Sequence, residues 1–273
     1  MLQIKVLSYN LNNKKGALND LYDYINNLSA DILLISIQEY FSVLPEFPFS
    51  PYVYHKKIYG LHSLILSKLP LTVDFYVFCL GPLYLGNKGF ILANINDSII
   101  FTSVHLQHGE GNYTRRTDQF TYLNNILGDI PYPIILAGDF NFRFIKKSNF
   151  YRERDDEFVK IKEKFGYSEM SIRFGFTYKY KGSVLDDSKI PSYCDRIIYR
   201  NVQCLEYSCL ESLVNSDHKL VTGNFEISEI KMVVENKHVF TRSRISEVSC
   251  FIYENVIIFT ILIVCIVFIL RLI

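Results

Sequence analysis

Three polar residues that follow an apolar stretch are of types that could act on a phosphate. Residues 134–138 read Ile-Ile-Leu-Ala-Gly, and Asp139, Asn141 and Arg143 then follow at every second position. Alternate side chains of a strand share one face, so an acid, an amide and a guanidinium leave this strand end in one direction. Such a face is poorly suited to a hydrophobic core and well suited to holding a metal-bound phosphate.

Five other short segments place polar side chains where predicted strands end or begin. They are Asn10 and Asn12, Gln38 and Glu39, His105 and His108, Asp195 and Arg196, and Ser216, Asp217 and His218. Each segment taken alone is explained as well by a local turn, because Asn, Asp and Ser side chains favour turns. Ligands of α/β sheets bind at strand ends, so these segments together indicate one site.

The same side chains include the groups that metal-assisted phosphate hydrolysis requires. Oxygen ligands such as Glu39, together with an Asn or Asp, suit Mg²⁺, which keeps several waters and binds through one or two carboxylates. A further carboxylate is needed to orient or deprotonate the attacking water, and an imidazole to stabilise the developing charge. The sequence contains no glycine-rich P-loop, no Gly-x-Ser-x-Gly elbow and no His-Glu-x-x-His motif.

The secondary-structure pattern predicts a mixed α/β sandwich over residues 1–227. Helices are expected at residues 16–28 and 116–127, where apolar residues recur at helical spacing. Strand-like runs are predicted at residues 3–9, 32–37, 63–67, 90–95, 98–104, 133–138, 194–199 and 219–226. Many strands with few helices favour a sandwich over a strict alternation of strand and helix. Residues 228–250, with charge, Ser and weak periodicity, indicate a linker.

Length and composition limit the class of protein. The chain has 273 residues and a net charge of +1, which fits one sizeable domain with appendages. A dedicated nucleic-acid binder usually has a strongly basic balance, so we expect no nucleic-acid partner. The six Cys show no spacing typical of a zinc site or a disulfide framework, which favours a reduced, cytosolic setting.

The last residues predict a transmembrane helix at 251–273. Residues 256–270 are apolar except for Thr260 and Cys265, and with their flanks they reach about 20 residues, enough for a bilayer core. A shorter apolar run suits a thin membrane such as the endoplasmic reticulum. More Lys and Arg residues precede this segment than follow it, which predicts a tail anchor with the domain in the cytosol. The alternative is a buried core helix.

Longer motifs are similar to those of a known family. The pairs Tyr9-Asn10 and Gln38-Glu39, with residues 138–141 and 216–218, resemble the endonuclease/exonuclease/phosphatase superfamily. Three further segments resemble the inositol polyphosphate 5-phosphatases within it: Gly-Asn-Lys-Gly at 86–89, Ser-Val-His-Leu at 103–106 with Arg115, Arg116 and Asp118 behind it, and Pro-Ser-Tyr-Cys-Asp-Arg-Ile at 191–197. The resemblance implies a four-layer α/β sandwich in which two mixed sheets are flanked by helices.

The resemblance also implies a role for each matching residue. The implied metal ligands for Mg²⁺ are Glu39, Asn10 and Asp217. The implied catalytic residues are Asp139 on the water, Asn141 beside it, His218 and His105 on the phosphate, and Asp195, which orients His218. The implied substrate-binding residues are Asn87, Lys88, Tyr178, Lys179, Lys189 and Arg116. Arg143 is expected to support the site rather than to act in it.

The chain departs from the family in the region that the resemblance assigns to the inositol 4-phosphate. Gly175 stands where the family usually has Pro, and Tyr193 stands where it usually has Trp. The family commonly places a Lys and an Arg before the Pro at 191, and here only Lys189 remains. A Lys is a point charge without the bidentate fork of Arg, so 4-phosphate recognition is expected to differ.

The leading hypothesis is a tail-anchored, Mg²⁺-dependent phosphatase that removes the 5-phosphate of phosphoinositides or inositol polyphosphates at a cytosol-facing membrane. A second hypothesis keeps the fold and changes the substrate to a phosphodiester, such as sphingomyelin. A third is a catalytically inactive, membrane-tethered module that binds phosphoinositides. Assays on an inositide panel and on sphingomyelin discriminate among the three, and protein partners stay open.

Overall fold

The structure of the chain is a computed structural model that describes residues 1–48, 50–81, 88–145 and 152–228, together with Phe240 and Val248. Several sequence predictions therefore lie outside the described residues. These are the substrate-binding role of Asn87, nearly all of the linker at 228–250 and the transmembrane helix at 251–273. Among the residues that are described, no helix is both long enough and apolar enough to cross a membrane.

Strands dominate the described chain, and helices are few. The strands are β1 (Leu2–Asn10), β2 (Ile32–Gln38), β3 (Tyr52–Ile58), β4 (Leu61–Ser67), β5 (Val73–Cys79), β6 (Gly89–Ile95), β7 (Ile99–His105), β8 (Ile134–Asp139), β9 (Tyr180–Lys181), β10 (Val184–Leu185), β11 (Asp195–Arg200), β12 (Cys204–Leu210) and β13 (Leu220–Ile227). The helices are α1 (Lys15–Asn26), α2 (Tyr113–Leu127) and α3 (Val159–Lys164), with a 3₁₀ turn at Glu153–Asp155.

Two mixed sheets form the body of the domain. Within the described residues, one sheet has six strands in the order β12-β13-β1-β2-β4-β3, and the other has five in the order β11-β8-β7-β6-β5. The pair β1 and β2 and the pair β7 and β8 run parallel, and the remaining neighbours run antiparallel. The short pair β9 and β10 stands apart. The mixed sandwich predicted from the sequence is confirmed.

The central core lies between the two sheets. Val6 and Leu34 from the first sheet pack in one buried cluster with Phe101, Ile135 and Ala137 from the second. Strand residues alternate between faces, so the residues that continue these positions toward the strand ends also point into the space between the sheets. In β8 the next such residue after Ala137 is Asp139.

Helices cover the two outer faces, which gives four layers. Helix α1 places Leu18, Leu21 and Ile25 against the first sheet, because apolar residues at this spacing lie on one helix face. Helix α2 packs Phe120 and Leu123 against the outer face of the second sheet. The predicted helices at 16–28 and 116–127 thus match α1 and the main part of α2.

One residue of the predicted linker contacts the domain. Phe240 is buried, and its ring meets the ring of Tyr76 in β5 edge to face with the centroids 5.1 Å apart. It belongs to the same apolar cluster as the residues of α2 that face the second sheet. The chain beyond β13 therefore touches the outer face of the five-stranded sheet at this point.

Candidate active site

The register of the second sheet aligns the predicted site residues in one row. Gly89 lies opposite His105, His105 lies beside Asp139, and Asp139 lies opposite Asp195. Residues paired in this way point to the same face of a sheet. On β8 this is the face that carries Ala137 into the central core. His105, Asp139 and Asp195 therefore point together into the space between the sheets, at the end where the core becomes polar.

The glycine of the motif at 138–141 has a structural reason. A Cβ atom at Gly138 would lie 2.0 Å from the carbonyl oxygen of Val104 in the neighbouring strand β7. No side chain fits at that distance, so any other residue would push β7 and β8 apart. Gly138 thus allows the close approach that sets His105 beside Asp139.

The first sheet contributes a facing row. Asn10 ends β1, and its Nδ2 donates to Oδ2 of Asp139 across the gap between the sheets, at 3.1 Å. Ser216 connects the end of β1 to the segment before β13, because its hydroxyl donates to the carbonyl of Asn10 at 2.6 Å and accepts the backbone N–H of His218 at 3.2 Å. The two halves of the site are therefore joined by hydrogen bonds at a fixed spacing.

His218 and Asp195 form a buried pair. Nδ1 of His218 lies 2.8 Å from Oδ2 of Asp195, and the backbone N–H of Asp195 donates to the hydroxyl of Thr177 at 3.1 Å. Burial disfavours a charged imidazole, but the charge and hydrogen bond of Asp195 outweigh it and raise the pKa of His218 to about 9. His218 is therefore cationic at neutral pH, and its Nε2 is the ring atom that can donate to a substrate.

Asp139 is held through both of its oxygens. Oδ1 accepts the backbone N–H of Asn141 at 2.9 Å, and Oδ2 accepts from Asn10 and lies 3.6 Å from Nε2 of His105. Asn141 has a φ of 57°, a left-handed conformation that Asn tolerates better than most residues. In the turn after β8, the backbone N–H of Asn141 therefore points at the Asp139 carboxylate and holds it in position.

The side chain of Asn141 supports its neighbours. Its Nδ2 donates to the carbonyl of Leu106 at 3.2 Å, and its Oδ1 accepts from the guanidinium of Arg143 at 3.0 Å. The same guanidinium lies 4.1 Å from the centroid of the Tyr178 ring. Arg143 therefore contacts Asn141 and Tyr178, in keeping with its expected supporting role. The second amide hydrogen of Asn141 is the one that could reach a water or a phosphate.

Glu39 lies against two nitrogen groups at the end of β2. Its Oε1 is 3.5 Å from Nε2 of His105 and 4.0 Å from Nζ of Lys88, and Lys88 also hydrogen-bonds His105. Burial would raise the pKa of Glu39, but His105 and Lys88 outweigh it and hold that pKa well below its usual range. Burial lowers the pKa of Lys88 and of His105. Glu39 is therefore ionised, as a metal ligand must be.

The donor set at this end of the sandwich fits a hard divalent cation. The oxygen donors that could hold one belong to Asn10, Glu39, Asp139, Asp195 and Asp217. Carboxylate oxygens of Asp139 and Asp195 lie within 4.8 Å of each other and of a ring nitrogen of His218, whose cationic ring is a hydrogen-bond donor rather than a ligand. Within the described part of the chain, the buried atoms Oδ1 of Asp195 and Oδ1 of Asp217 lack a hydrogen-bond partner. Carboxylate and amide oxygens are the ligands that Mg²⁺ and Ca²⁺ prefer.

Comparison with known proteins now assigns the family. Residues 52–224 match the model of the Endonuclease/Exonuclease/phosphatase family 2. The chain belongs to this family. The inositol 5-phosphatase resemblance is supported by a mouse phosphatidylinositol 3,4,5-trisphosphate 5-phosphatase 2, which is 25% identical over 206 residues. That match covers 56% of this chain and only 16% of the mouse protein.

Two further similar proteins are also named as 5-phosphatases of inositol phosphates or their lipids. A phosphatidylinositol 4,5-bisphosphate 5-phosphatase of Saccharomyces cerevisiae is 30% identical over 136 residues, covering 42% of this chain and 14% of the yeast protein. The inositol polyphosphate 5-phosphatase domain of a synaptojanin, crystallised with inositol (1,4)-bisphosphate and calcium, has a TM-score of 0.66 and 23% identity over 82% of this chain and 83% of that one. This structural likeness establishes the fold, and the motifs predicted the family correctly.

The predicted headgroup residues of this family member lie on a less buried segment. Tyr178 packs its ring 4.6 Å from the ring of His218, centroid to centroid. Nζ of Lys179 lies 3.2 Å from Oδ2 of Asp217, so a predicted headgroup residue and a predicted metal ligand pair with each other. Lys189 is exposed to solvent. The segment thus combines one packed aromatic ring with two lysines that solvent reaches.

Arg116 is a correction to the predicted substrate-binding set. Its side chain is fully buried, and its Nη2 pairs with Oε2 of Glu157 at 2.7 Å. Its Nη1 donates to the carbonyl of Gly109 at 2.6 Å. Arg116 belongs to helix α2 and ties it to neighbouring loops, so it is not available to a substrate in solvent.

The signature at 191–197 also has a structural reason, which the sequence did not reveal. The guanidinium of Arg196 is buried and pairs with Asp156 and, at 3.0 Å, with Glu169. Its Nε donates to the carbonyl of Tyr193 at 2.8 Å. Arg196 directly follows Asp195, so this ion pair cluster fixes the strand start that carries the partner of His218.

The two family departures are accommodated by specific contacts. The backbone N–H of Gly175 donates to Oε1 of Glu211 at 2.9 Å, a bond that the usual Pro cannot make because it has no N–H. Tyr193 packs against Phe174 and Phe176, with ring centroids 6.3 and 5.0 Å away. Both contacts anchor the segment that leads to Tyr178.

Sequence reasoning gave no role to three residues that the structure connects to the site. Thr177 and Ser216 each hydrogen-bond a predicted catalytic residue. Ser216 belongs to the motif at 216–218, so motif membership was the available signal for it. His62 in β4 hydrogen-bonds the carbonyl of Tyr40, next to Glu39. In the sequence, His62 stands out only as a polar residue beside an apolar strand-like run, and that feature alone predicts no specific role.

Proposed function

We propose that this chain is a Mg²⁺-dependent phosphatase that hydrolyses the 5-phosphate of a phosphoinositide or an inositol phosphate. The relatives named above are phosphatidylinositol 5-phosphatases, and their matched regions are small parts of much longer proteins. The family supports a metal-dependent phosphoesterase, and the sequence segments at 86–89 and 191–197 favour the 5-phosphatases within it. For this chain itself, we propose the activity, the substrate and the identity of the metal.

One observation carries the proposal. A carboxylate held by Asn10 and Asn141 faces the same space between the sheets as a cationic imidazole held by Asp195. The carboxylate is the group that can orient and deprotonate an attacking water. The imidazole is a hydrogen-bond donor that can stabilise the charge that develops on the phosphate oxygens. Both are buried, which strengthens their electrostatic interactions with a bound phosphate.

The residues divide the reaction between them. Asp139 orients the attacking water and accepts its proton as the new oxygen–phosphorus bond forms. His218, through Nε2, and His105 face the phosphate oxygens, and Asp195 keeps His218 charged and oriented. When bound by Glu39 and Asn10, with Asp217 near, Mg²⁺ supplies positive charge that offsets the charge on the phosphate and the leaving oxygen. The bond from phosphorus to the inositol 5-oxygen breaks, that oxygen takes a proton from solvent, and inorganic phosphate is released. Asp139 returns the proton that it accepted to solvent.

The substrate is expected to meet the site through Tyr178, Lys179 and Lys189. Lys179 would exchange its partner Asp217 for a substrate phosphate, because a phosphate carries more charge than one carboxylate. The two lysines offer point charges without the fork of an Arg. A 4-phosphate is therefore expected to add affinity, with less geometric selection than two forked contacts would give.

We further propose that residues 251–273 anchor the enzyme in a membrane with the domain in the cytosol. The support is the apolar run at 256–270 and the excess of Lys and Arg before it. Tethering would place a lipid headgroup at high effective concentration near the site. Flotation of the full chain with liposomes tests this, and a chain that stays soluble without detergent would remove the anchor from the proposal.

The deciding experiment measures inorganic phosphate released by the full chain with Mg²⁺. The substrates are phosphatidylinositol 4,5-bisphosphate, phosphatidylinositol 3,4,5-trisphosphate and inositol 1,4,5-trisphosphate, with the product identified by chromatography. We expect loss of the 5-phosphate. Choline phosphate release from sphingomyelin would favour the phosphodiesterase alternative. Binding of inositide vesicles without any turnover would favour the inactive module.

A further inference from the structure

Glu39 has an unusual backbone for its residue type. Its φ is 53°, a left-handed conformation that costs free energy in a residue with a Cβ atom. Such a residue persists only where the surrounding structure over-determines it. The carboxylate that the proposed function assigns to the metal thus depends on whatever holds the chain at the end of β2.

Backbone hydrogen bonds hold the chain on both sides of Glu39. The carbonyl of Gln38 accepts the N–H of Leu11 at 2.8 Å, and the carbonyl of Glu39 accepts the N–H of Asn13 at 2.6 Å. The N–H of Tyr40 donates to the carbonyl of Gly60 at 3.1 Å. The next backbone group along the chain that needs a hydrogen-bond donor is the carbonyl of Tyr40.

A buried histidine provides that donor. Nε2 of His62 lies 2.7 Å from the carbonyl oxygen of Tyr40, and the His62 side chain has no exposed surface. A carbonyl can only accept, so Nε2 of His62 carries the hydrogen and Nδ1 is the acceptor of the neutral ring. Burial lowers the pKa of His62 to about 3, which keeps the ring neutral.

A second histidine fixes this tautomer from the solvent side. Nε2 of His55 lies 3.0 Å from Nδ1 of His62, and the two ring planes are nearly parallel, 4° apart, with centroids 5.2 Å apart. Nδ1 of His62 is an acceptor, so His55 must donate. The direction of the whole chain of bonds is therefore set, from exposed His55 through buried His62 to the Tyr40 carbonyl.

We propose that His62 is a positioning residue for Glu39, which it holds through the Tyr40 peptide, and that His55 keeps His62 in the required tautomer. The assignment of Glu39 as a metal ligand rests on the proposed function. The positioning itself does not, because it follows from the hydrogen bonds alone. A histidine that merely filled space would not need a donor at Nε2.

Two substitutions at one position separate these roles. His62→Gln can place an amide donor where Nε2 stands, whereas His62→Phe keeps a ring of similar size without a donor. Leu64→Val is the matched control, since Leu64 is the next residue of β4 on the same face as His62 and is also fully buried. His55→Leu removes the donor to His62 at the surface, so it keeps the proposal testable if His62→Phe does not fold.

Hydrogen–deuterium exchange of the full chain without metal is the primary test. We expect the amides of the 38–41 segment to exchange about tenfold faster in His62→Phe, in line with a lost buried hydrogen bond of about 1.4 kcal/mol. His55→Leu should show a smaller increase, and His62→Gln and Leu64→Val should match the unaltered chain there. Unchanged exchange at 38–41 in both His62→Phe and His55→Leu would overturn the proposal.

Metal binding gives the second readout. Free Mn²⁺ is measured by electron paramagnetic resonance while MnCl₂ is titrated into the full chain and each variant. Supporting groups around a metal site typically change affinity by about tenfold or more, and we expect His62→Phe to raise the Kd by that factor. If exchange changes as expected and the chain binds no Mn²⁺, the metal role of Glu39 fails and the positioning by His62 stands.

Discussion

The proposed reaction centre at Asp139, Asp195 and His218 and the proposed headgroup segment, which carries Tyr178, Lys179 and Lys189, are built differently. Asp139, Asp195 and His218 are at most 5% exposed, and each is held by hydrogen bonds at a strand end or beside one. On the headgroup segment, the Lys179 side chain is 31% exposed and Lys189 is open to solvent. The first region is fixed by sheet register, whereas in the second the Lys179 side chain is held by its ion pair with Asp217.

This difference teaches which kinetic parameter each region should control. Groups locked in place before substrate arrives act on the transition state, so their loss should lower kcat. Solvent-exposed cations that pair with the substrate contribute binding in both ground and transition states, so their loss should raise KM. Substitutions in the two regions therefore test the comparison directly.

The largest effect is expected from Asp139→Asn. This change keeps the shape of the side chain but removes the base for the water, and kcat should fall by about 10³-fold. Phosphate release from phosphatidylinositol 4,5-bisphosphate and thermal unfolding are measured together. Asp129→Asn, an exposed acid just before the other end of β8, is the control. Normal turnover in Asp139→Asn would remove Asp139 from the mechanism.

Asp195→Asn should give the next largest effect. The amide can still reach His218, but it no longer keeps the imidazole charged, so kcat should fall by about 10²-fold with KM nearly unchanged. Asp195 is buried, so its substitution also threatens the stability of the fold, and a lower stability would itself reduce kcat. Thr177→Val is the control for this effect, because it removes only the hydroxyl that accepts the Asp195 N–H and leaves the Asp195 carboxylate in place. A rise in KM alone would contradict the proposed role.

The strands of the two main sheets that sequence reasoning missed share one position. In these sheets, β3, β5 and β12 were not predicted, and each is an edge strand. The two-residue strands β9 and β10, which pair with each other, were missed as well. An interior strand such as β2 is buried along its whole length, and its residues 32–35 form a continuous apolar run. β3 is mostly exposed and contains a His and two Lys residues, so it shows neither a continuous run nor a clear alternation.

The site was predictable where it depends on strand ends and unpredictable where it depends on side-chain pairing. Register along β7, β8 and β11 brings His105, Asp139 and Asp195 together, as the strand-end pattern indicated. The bond between Lys88 and His105 and the pair of Lys179 with Asp217 join segments far apart in the chain. No periodicity or motif encodes such distances.

Lys179→Ala sharpens the comparison at the headgroup segment. Losing one cation that contacts a phosphate should raise KM by about tenfold and leave kcat within a few fold. The effect should be larger for substrates that carry a 4-phosphate. Lys181→Ala is the matched control, because Lys181 is also on this segment but pairs with Asp186. A tenfold fall in kcat would instead show that Lys179 acts with Asp217 in the reaction centre.

The last effect is expected in stability rather than turnover, and it concerns the framework behind Glu39. The pKa of His62 falls from 6.5 to about 3 on folding, because the ring is buried. Below pH 6.5 the unfolded chain therefore binds a proton that the folded chain does not, and stability falls with pH by about 1.4 kcal/mol per unit from this residue. Above pH 6.5 the residue contributes no pH dependence.

His62→Gln removes the titrating group and keeps a donor for the Tyr40 carbonyl. Relative to the unaltered chain, this variant should gain about 1.4 kcal/mol in its free energy of unfolding for each unit between pH 6.5 and 4.5. Urea unfolding at a series of pH values measures the difference. Parallel pH curves would show that His62 is protonated in the folded state, which the bond from His55 to Nδ1 of His62 does not allow.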